Sequence, residues 1–389
     1  MTRNPQSKNP FDKDFKLGIL GGGQLGRMLI QAAIDLNIYI KVMDGDADAP
    51  CTHLAHEFMQ GSLMDFAAVY AFGKTVDVLT IEIEHVNVEA LEKLQAEGVK
   101  VYPQPSVIRT IQDKRVQKQF YRQHHIPTPD FVLTDDADAV ARQADFLPAF
   151  QKLGKLGYDG RGVQRLNSAA DLHKAFREPS LLEKAVDFEK EISVIAARSV
   201  TGEIKTFPPV ELVFHPEKNL VEYLFAPAMI APPIARQADE IARQVADRLG
   251  IVGLLAVEMF LAKDGQVLVN ESAPRPHNSG HHTIKANHTS QFEQHLRAIL
   301  GLPLGDTQAK TLVAMVNLLG EDGYSGEAYY KGMDEVLQIP GVYPHLYGKA
   351  TTKPFRKMGH VTIVDDNPDS LGVKVALVRE KLKVVSHRA

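Results

Sequence analysis

Two glutamates near position 260 are the residues whose spacing points most directly to chemistry. Two β-prone runs flank Asp264-Gly265, a dipeptide favoured at two-residue hairpin turns. Such a turn places Glu258 directly opposite Glu271 on the neighbouring strand. Facing carboxylates repel each other unless a cation lies between them. Because oxygen-only ligands favour a hard ion, the hairpin predicts a Mg²⁺ site that shares its ion with substrate phosphates.

The alternative is an exposed hairpin whose two glutamates splay apart into water. The residues next to them in the two strands include Ala256, Phe260, Val267 and Val269. Since these side chains are apolar, the strands are expected to be half buried, and the metal interpretation is the favoured one.

The segment after the hairpin is rich in cationic and amide side chains. Arg275 follows it, and a guanidinium beside a metal-bound polyphosphate can stabilise charge during phosphoryl transfer. His277 and His281 have the spacing of a zinc pair on a helix, but Gly280 argues against a helix there. Donors such as His277 and Asn278 suit a small oxyanion better.

A second candidate site lies about a hundred residues earlier in the chain. Lys152 falls on a predicted strand that runs into a glycine-rich stretch, residues 154–162. Backbone N–H groups next to glycines, together with a lysine, suit the β- and γ-phosphates of ATP. The stretch lacks the G-x-x-x-x-G-K-[ST] pattern of a P-loop. An exposed hairpin tip with a solvated lysine remains the alternative for this segment taken alone.

The N-terminal glycine motif raises a different hypothesis. Residues 21–26 read Gly-Gly-Gly-Gln-Leu-Gly, which matches G-x-G-x-x-G, and Asp44 follows at the end of the next predicted strand. This context is typical of dinucleotide-binding folds, so an NAD-dependent dehydrogenase is a competing interpretation. The pattern is weak alone, because glycines also permit close helix–strand packing. Glu82 and Glu84, at the end of a later strand, are further candidates for a substrate contact.

Alternating strand and helix patterns must position these groups. The N-terminal part reads as a βαβ series, which predicts a parallel sheet covered by helices. Its predicted elements are strands 17–20, 38–43, 76–83 and 99–102 and helices 24–36 and 88–97. A single polar helix from Ser106 to about His124 is expected to connect this part to the next.

Beyond Pro129 the pattern changes to that of an α+β unit. Short strand-like runs at 149–152, 181–183 and 192–195 precede a helix at 237–249. The segment from about Thr311 is rich in strand signals and is expected to form a small β appendage.

Composition excludes several classes of protein. The chain has 389 residues, with 44% hydrophobic and 24% charged residues, which is ordinary globular usage. Its 44 Lys+Arg against 48 Asp+Glu provide no overall positive field for nucleic acid or a membrane surface. One cysteine cannot form an internal disulfide, and no apolar run has the length of a membrane span, so a cytoplasmic protein is expected.

Three motifs in order resemble a known family. They are residues 22–28 (Gly-Gly-Gln-Leu-Gly-Arg-Met), 157–162 (Gly-Tyr-Asp-Gly-Arg-Gly) and 270–281, which begins Asn-Glu-Ser-Ala-Pro-Arg. Together they are similar to the N5-carboxyaminoimidazole ribonucleotide synthases, which are ATP-grasp ligases of purine biosynthesis. The resemblance covers residues from about 16 to about 363.

The resemblance implies roles for individual residues. ATP would be bound by Lys114, Lys152, Gly157, Tyr158, Asp159, Gly160, Arg161, Gly162, Val163, Glu183, Lys184, Ala185, Val186, Glu191, His215, Asn270 and Glu271. Mg²⁺, with Mn²⁺ as a tolerated substitute, would be bound by Glu258 and Glu271, which agrees with the hairpin argument. The ribonucleotide would contact Tyr158, Arg161, His277, Lys349 and Arg356, and the catalytic candidates are Arg275, Asp159, His277 and Asn278.

The resemblance also implies an architecture and a reaction. The expected divisions are a frayed start (1–15), a Rossmann-like pre-ATP-grasp domain (16–112), a small lobe with the phosphate-covering loop (113–186), a large lobe with the metal site (187–310) and a β-rich C-terminal subdomain (311–389). The implied reaction joins 5-aminoimidazole ribonucleotide to bicarbonate with ATP, through carboxyphosphate, in a homodimer. Another ATP-grasp carboxylate-amine ligase is the closest alternative function.

Departures from the family pattern concern the loop and the metal site. Leu156 stands where the family often has glycine, and Val163 where it usually has glutamine. Ala273 replaces an asparagine that ligates metal in many ATP-grasp enzymes, although this branch commonly lacks it.

Overall fold

A parallel sheet forms the N-terminal part of the protein. The computed structural model describes residues 8–155, 162–214 and 220–386. The first elements are β1 (Leu17–Leu20), α1 (Gln24–Asp35), β2 (Ile40–Asp44), β3 (Glu57–Gln60), α2 (Phe66–Gly73), β4 (Val78–Ile81), α3 (Val88–Ala96) and β5 (Lys100–Val101). The strands pair in the order β3-β2-β1-β4-β5, and all pairs are parallel.

The central strands of this sheet are buried on both faces, as the continuous apolar runs predict. The predicted parallel sheet is therefore confirmed. The sequence argument missed β3 and α2, because β3 is only four residues long and half exposed and so has no apolar run.

Two helices, not one, connect this sheet to the rest of the chain. The predicted single helix 106–124 is wrong, since α4 (Pro105–Gln112) and α5 (Lys114–Gln123) are separated by Asp113 in an extended conformation. The Asp113 side chain accepts a hydrogen bond from the backbone N–H of Arg115 and thereby caps α5. The N–H of Lys114 donates to Gly154 O at 2.7 Å, so the break joins the helix to the glycine-rich segment.

A small antiparallel sheet follows, with strand order β6-β9-β7-β8. Its elements are β6 (Phe131–Thr134), α6 (Ala137–Ala141), β7 (Ala149–Leu153), β8 (Val163–Leu166) and β9 (Ser180–Lys184), with 3-10 helices at Ala144–Phe146 and Ala169–Lys174. β7 and β8 are the arms on either side of residues 154–162, of which 156–161 lie outside the described residues.

The next elements carry the predicted metal hairpin. They are β10 (Phe188–Arg198), β11 (Ile204–Thr206), β12 (Val210–Phe214), β13 (Val221–Ala226), α7 (Pro232–Leu249), β14 (Gly253–Ala262), β15 (Val267–Ala273), α8 (Thr283–Ala286) and α9 (Gln291–Leu300), with a 3-10 turn at Asn278–Gly280. α7 begins earlier than predicted, because its first position is a proline, which fits the first turn of a helix.

The C-terminal elements both extend the large sheet and form a small one. They are β16 (Leu312–Leu319), β17 (Gly326–Lys331), α10 (Met333–Val336), β18 (Val342–Leu346), β19 (Thr351–Thr352), β20 (Lys357–Asp365), α11 (Pro368–Lys381) and β21 (Lys383–Ser386). The large sheet runs β15-β14-β10-β12-β13-β16-β20-β18, with β11 beside β10, and β19-β17-β21 form the small antiparallel sheet. The sequence argument predicted a small β appendage from about Thr311, which agrees with the small sheet, but it did not predict α11 or that β16, β18 and β20 extend the large sheet.

One buried core ties the N-terminal sheet to the later elements. It combines Leu29 of α1, Ile40 of β2, Phe292 and Leu296 of α9, and Tyr347 after β18. Helix α1 and strand β2 of the N-terminal part therefore share one core with α9 and with the segment that follows β18. Within the described residues, no helix combines the length and apolarity that crossing a membrane requires.

Candidate active site

The β14–β15 hairpin pairs Glu258 with Glu271, as predicted. The predicted two-residue turn is nevertheless wrong. Ala262 N donates to Gln266 O and Gly265 N donates to Ala262 O, each at 2.9 Å, so the loop has three residues. Gly265 has φ +85°, a left-handed conformation that closes such loops readily.

A bulge restores the register that the longer loop would otherwise shift. Pairing changes between Glu258 and Met259, where Met259 lies opposite Val269 and Asn270 is the extra residue. The extra loop residue and the extra bulge residue cancel, so Glu258 still lies opposite Glu271 as a two-residue turn without a bulge would place it. The bulge also directs Asn270 toward the same site, where its Oδ1 accepts a hydrogen bond from Lys152.

The two glutamates have opposite electrostatic environments. Burial, followed by the negative charges of Glu271 and Glu191, raises the pKa of Glu258 to about 8. The ammonium of Lys114, which forms an ion pair with Glu271, lowers the pKa of Glu271 to about 2. The Glu271 side chain is 41% exposed, so one carboxylate faces a solvent-accessible space. A cation at the pair would relieve the cost of ionising Glu258.

Helix α5 delivers cationic side chains to this pair. Lys114 lies in its first turn and contacts Glu271, and burial opposed by the charge of Glu271 leaves the pKa of Lys114 raised. One and two turns later, Gln117 and Tyr121 hydrogen-bond to Ser272, next to Glu271. Since residues at i, i+3 and i+7 share one helix face, this face is fixed along β15.

Lys152 reaches the same site from the small sheet. Its Nζ lies 2.5 Å from Glu183 Oε1 and 2.9 Å from Asn270 Oδ1. Lys118 occupies the other oxygen of Glu183, also at 2.5 Å. Burial, opposed by Lys118 and then Lys152, leaves the pKa of Glu183 lowered. Three lysines and a buried carboxylate therefore surround the space beside the hairpin.

A second cluster lies after β15. Arg275 Nε is 2.9 Å from Glu84 Oε2, which joins this segment to the carboxyl edge of the parallel sheet. His277 Nε2 lies 3.6 Å from Glu258 Oε1, and its Nδ1 bonds Ser279 Oγ at 2.9 Å. The imidazole of His277 therefore lies beside Glu258, whereas the guanidinium of Arg275 is paired with Glu84.

The remaining described residues that were predicted for ATP lie on β8, β9 and β10 or directly beside them. Burial raises the pKa of Glu191 on β10 to about 7, and Glu191 is close enough to Glu258 to raise its pKa too. Lys184 follows Glu183 but bonds Phe146 O at 2.8 Å, and Ala185 N contacts Pro148 O at 3.5 Å. Gly162 O accepts from Leu153 N at 2.8 Å, Val163 pairs with Lys152, and Val186 follows β9.

The catalytic candidate Asn278 and the ribonucleotide candidates Lys349 and Arg356 are all hydrogen-bonded within the protein. Asn278 exchanges hydrogen bonds with Asn317 of β16 at 2.8 and 3.1 Å. Lys349 Nζ donates to Lys357 O at 2.7 Å, and Arg356 Nη1 donates to Thr351 O at 2.7 Å. Gly157, Tyr158, Asp159, Gly160, Arg161 and His215 lie outside the described residues, as does Leu156.

The N-terminal glycine motif is already engaged by the protein's own carboxylates. The N–H groups of Gly23 and Gly26 donate to Glu82 at 2.7 and 2.6 Å, and Gly22 N donates to Asp44 at 2.6 Å. A side chain on Gly23 would collide with Glu82, 2.4 Å from the added carbon. Because Glu82 occupies the helix N-terminus where a pyrophosphate would bind, the motif serves packing here and gives the dehydrogenase hypothesis no support.

The oxygen ligands at the hairpin fit a hard divalent ion whose remaining ligands are water molecules or substrate phosphates. It offers carboxylate oxygens from Glu258 and Glu271 and an amide oxygen from Asn270. In the described part of the chain, no three histidine, cysteine, aspartate or glutamate side chains gather as a metal cage. Two carboxylates plus substrate phosphates are the usual surroundings of Mg²⁺.

Sequence reasoning missed one residue of this site and one contact between two residues that it had named. Lys118 was not considered, although it follows Lys114 by one helical turn, the spacing that puts both on one face. The partnership of Glu84 with Arg275 was also missed, because 191 residues separate them and no local pattern reports such a contact.

Fold and site together define an ATP-grasp enzyme. Sequence models of known families match three consecutive parts of the chain: the ribonucleotide synthetase preATP-grasp domain at residues 15–112, the ATP-grasp domain at 119–292 and the phosphoribosylaminoimidazole carboxylase C-terminal domain at 313–374.

Named relatives narrow this class. The N5-carboxyaminoimidazole ribonucleotide synthetase structure from Thermotoga maritima is 42% identical, with a TM-score of 0.89, and the match covers 96% of this chain and 100% of that one. The synthase from Aspergillus clavatus, solved with ADP and 5-aminoimidazole ribonucleotide, is 33% identical with a TM-score of 0.86, covering 94% and 98%. The chain belongs to the N5-carboxyaminoimidazole ribonucleotide synthase family.

A longer relative shares the same region. The chloroplastic phosphoribosylaminoimidazole carboxylase of Vigna aconitifolia is 41% identical over 373 residues, which is 94% of this chain. The match spans 66% of that relative's length, so about a third of the relative has no counterpart in the match.

Proposed function

We propose that this protein converts 5-aminoimidazole ribonucleotide, bicarbonate and ATP into N5-carboxyaminoimidazole ribonucleotide, ADP and phosphate. The observation that carries the proposal is the pairing of Glu258 with Glu271 beside Lys114 and Lys152. Paired carboxylates can bind Mg²⁺, and the lysines that flank them can bind the phosphates of a metal-bound triphosphate. The Aspergillus relative, solved with ADP and this ribonucleotide, supports the choice of substrates.

The chain's own residues would bind and orient ATP. Lys114 and Lys152 would hold the phosphates, Asn270 would lie beside them, and Glu191 would accept hydrogen bonds from the ribose hydroxyls. Mg²⁺ bound by Glu258 and Glu271 would supply charge neutralisation at the transferring phosphoryl group. The backbone of residues 183–186 would face the adenine.

The second cluster would bind the carboxylating substrate. Arg275, held by Glu84 at 2.9 Å, and His277 can donate to bicarbonate oxygens as the γ-phosphoryl group is transferred to form carboxyphosphate. Asn278 would add an amide donor beside them. Carboxyphosphate hydrolyses in water, so the segment 154–162 would close over it before the ribonucleotide amine attacks.

The other assignments are part of the same proposal. Tyr158, Asp159 and Arg161 would contact the ribonucleotide, with Asp159 orienting or deprotonating its amine. Lys349 and Arg356 would hold its 5′-phosphate, and Gly157, Gly160, Gly162, Val163 and His215 would complete the ATP contacts. A homodimer and the division into lobes at residues 113, 187 and 311 are proposed with it.

An incubation with ATP, Mg²⁺, bicarbonate and 5-aminoimidazole ribonucleotide tests this function. ADP release should depend on the ribonucleotide, and isotopic carbon from labelled bicarbonate should appear in an acid-labile product. Release of ADP with a different amine, but not with this ribonucleotide, would instead assign the protein to another ATP-grasp ligase. Omission of bicarbonate from a degassed reaction is the matched control.

A further inference from the structure

Lys118 is a buried lysine that the proposed mechanism does not use. It lies on α5 one turn after Lys114, and its side chain is 3% exposed. Burial of an ammonium costs several kcal/mol unless it is paired and hydrogen-bonded. Burial, opposed by the charge of Glu183, accordingly lowers the pKa of Lys118 to about 8.

Three protein oxygens surround the ammonium of Lys118. Its Nζ lies 2.5 Å from Glu183 Oε2, 2.6 Å from Thr128 Oγ1 and 3.2 Å from Val269 O. Two hydrogen bonds and the ion pair with Glu183 hold this ammonium among protein oxygens. We therefore expect Lys118 to act on the nucleotide through its charge beside Glu183 rather than by binding a phosphate itself.

Glu183 has a lysine on each oxygen. Lys152 contacts Oε1 and Lys118 contacts Oε2, both at 2.5 Å. With Lys152 alone, Glu183 would form a neutral pair, and the attraction of that pair for a phosphate would be largely cancelled. With Lys118 as well, two ammonium groups and one carboxylate carry a net charge of +1. The Lys152 side chain is 12% exposed and is the member that reaches toward Asn270 and the hairpin.

We propose that Lys118 is a positioning residue that offsets the negative charge of Glu183, so that Glu183 can orient Lys152 without cancelling its attraction for the nucleotide phosphates. This inference deepens the proposed function, on whose ATP site it rests. A merely structural role would be to fill and pair a buried position. The two roles differ in one consequence, since only the charge role predicts that removing the carboxylate compensates for removing the lysine.

Calorimetric titration with ADP·Mg²⁺ distinguishes the two roles. Lys118→Met should weaken ADP binding at least tenfold, whereas Lys118→Arg should stay within about threefold of the wild type. The double variant Lys118→Met with Glu183→Gln restores the net charge of +1 and keeps an oxygen acceptor for Lys152. It should recover at least half of the lost binding free energy.

Two results would overturn the inference: wild-type ADP affinity in Lys118→Met, or no recovery in the double variant relative to Lys118→Met. If Lys118→Met does not fold, the double variant is compared with the wild type, and a loss above tenfold contradicts the charge role. Lys41→Met is the control, because Lys41 is 9% exposed and pairs with Glu57 in the N-terminal sheet. It should lower the melting temperature without changing ADP affinity. Since ADP binding is measured without the ribonucleotide, failure of the proposed reaction would be seen separately.

Discussion

At the scale of single residues, the site depends on groups that each serve two partners. Arg275 is the clearest case, because its Nε is 2.9 Å from Glu84 while its position after β15 puts it next to the metal hairpin. A guanidinium can bond a carboxylate through one edge and present further N–H groups to an oxyanion. An ammonium is a point charge and would be drawn to Glu84 alone.

Arg275→Lys should therefore raise the KM for bicarbonate by about tenfold or more, the loss expected for one charge-assisted hydrogen bond. The KM for ATP should change little, since Lys114 and Lys152 remain. Initial rates with each substrate varied in turn provide the test. Equal increases in the two KM values would remove Arg275 from the bicarbonate site.

At the scale of secondary-structure elements, α5 is the part that organises the phosphate side. Its start at Lys114 is fixed by the Asp113 cap and by the hydrogen bond from Lys114 N to Gly154 O. The helix then carries Lys114 and Lys118 along β15 on one face. A shift of the helix start would move both lysines together.

Asp113→Ala should lower the free energy of unfolding by about 1 kcal/mol, the usual value of a lost N-cap, and should also raise the KM for ATP. Urea denaturation and initial rates measure the two effects. Asp65→Ala is the matched control, because Asp65 caps α2 in the N-terminal sheet domain. It should cost similar stability with an unchanged KM. An ATP effect of equal size in both variants would contradict the special role of α5.

The element scale also shows what the sequence could predict. The Glu258–Glu271 pair was predicted from the alternation of side chains along strands and from a two-residue Asp-Gly turn, and it is present because the longer loop and the bulge cancel. The three-residue loop and the bulge were not predictable. Each shifts the strand register by one residue, and because the two shifts cancel they leave no trace in the alternation of side chains. The break at Asp113 was missed although aspartate is a preferred N-cap residue, because the polar residues on either side continue a helical pattern without Gly or Pro between them.

At the scale of the whole molecule, α9 joins the N-terminal sheet to the catalytic one. His295 of this helix is buried, with Nε2 bonded to Thr80 Oγ1 of β4 at 2.9 Å and Nδ1 accepting from Leu254 N of β14 at 3.3 Å. Burial lowers the pKa of His295 to about 3. The contact spans two sheets that sequence patterns had predicted separately, and nothing in either pattern indicated their relative placement.

The folded protein therefore keeps His295 neutral where the unfolded chain, with an ordinary histidine pKa, binds a proton. Stability from this residue is present above about pH 6.5 and is lost as the pH falls toward the folded pKa. The difference in unfolding free energy between the wild type and His295→Gln should shrink by about 2 kcal/mol between pH 6.5 and pH 5. Urea denaturation at several pH values measures it. A difference that does not change with pH would show that His295 is not buried as a neutral group.

The most direct test of the account is the effect of Glu271→Gln on ribonucleotide-dependent ADP release. Loss of one carboxylate from the proposed metal pair should reduce the rate by at least about a hundredfold in a protein that still unfolds cooperatively, with the melting temperature lowered by loss of the ion pair with Lys114. The control is Glu222→Gln, which removes an ion pair between β13 of the same large sheet and Arg379 of α11, and it should be almost fully active. Near-normal ADP release by a folded Glu271→Gln protein would contradict the claim that Glu258 and Glu271 form the metal site of this enzyme.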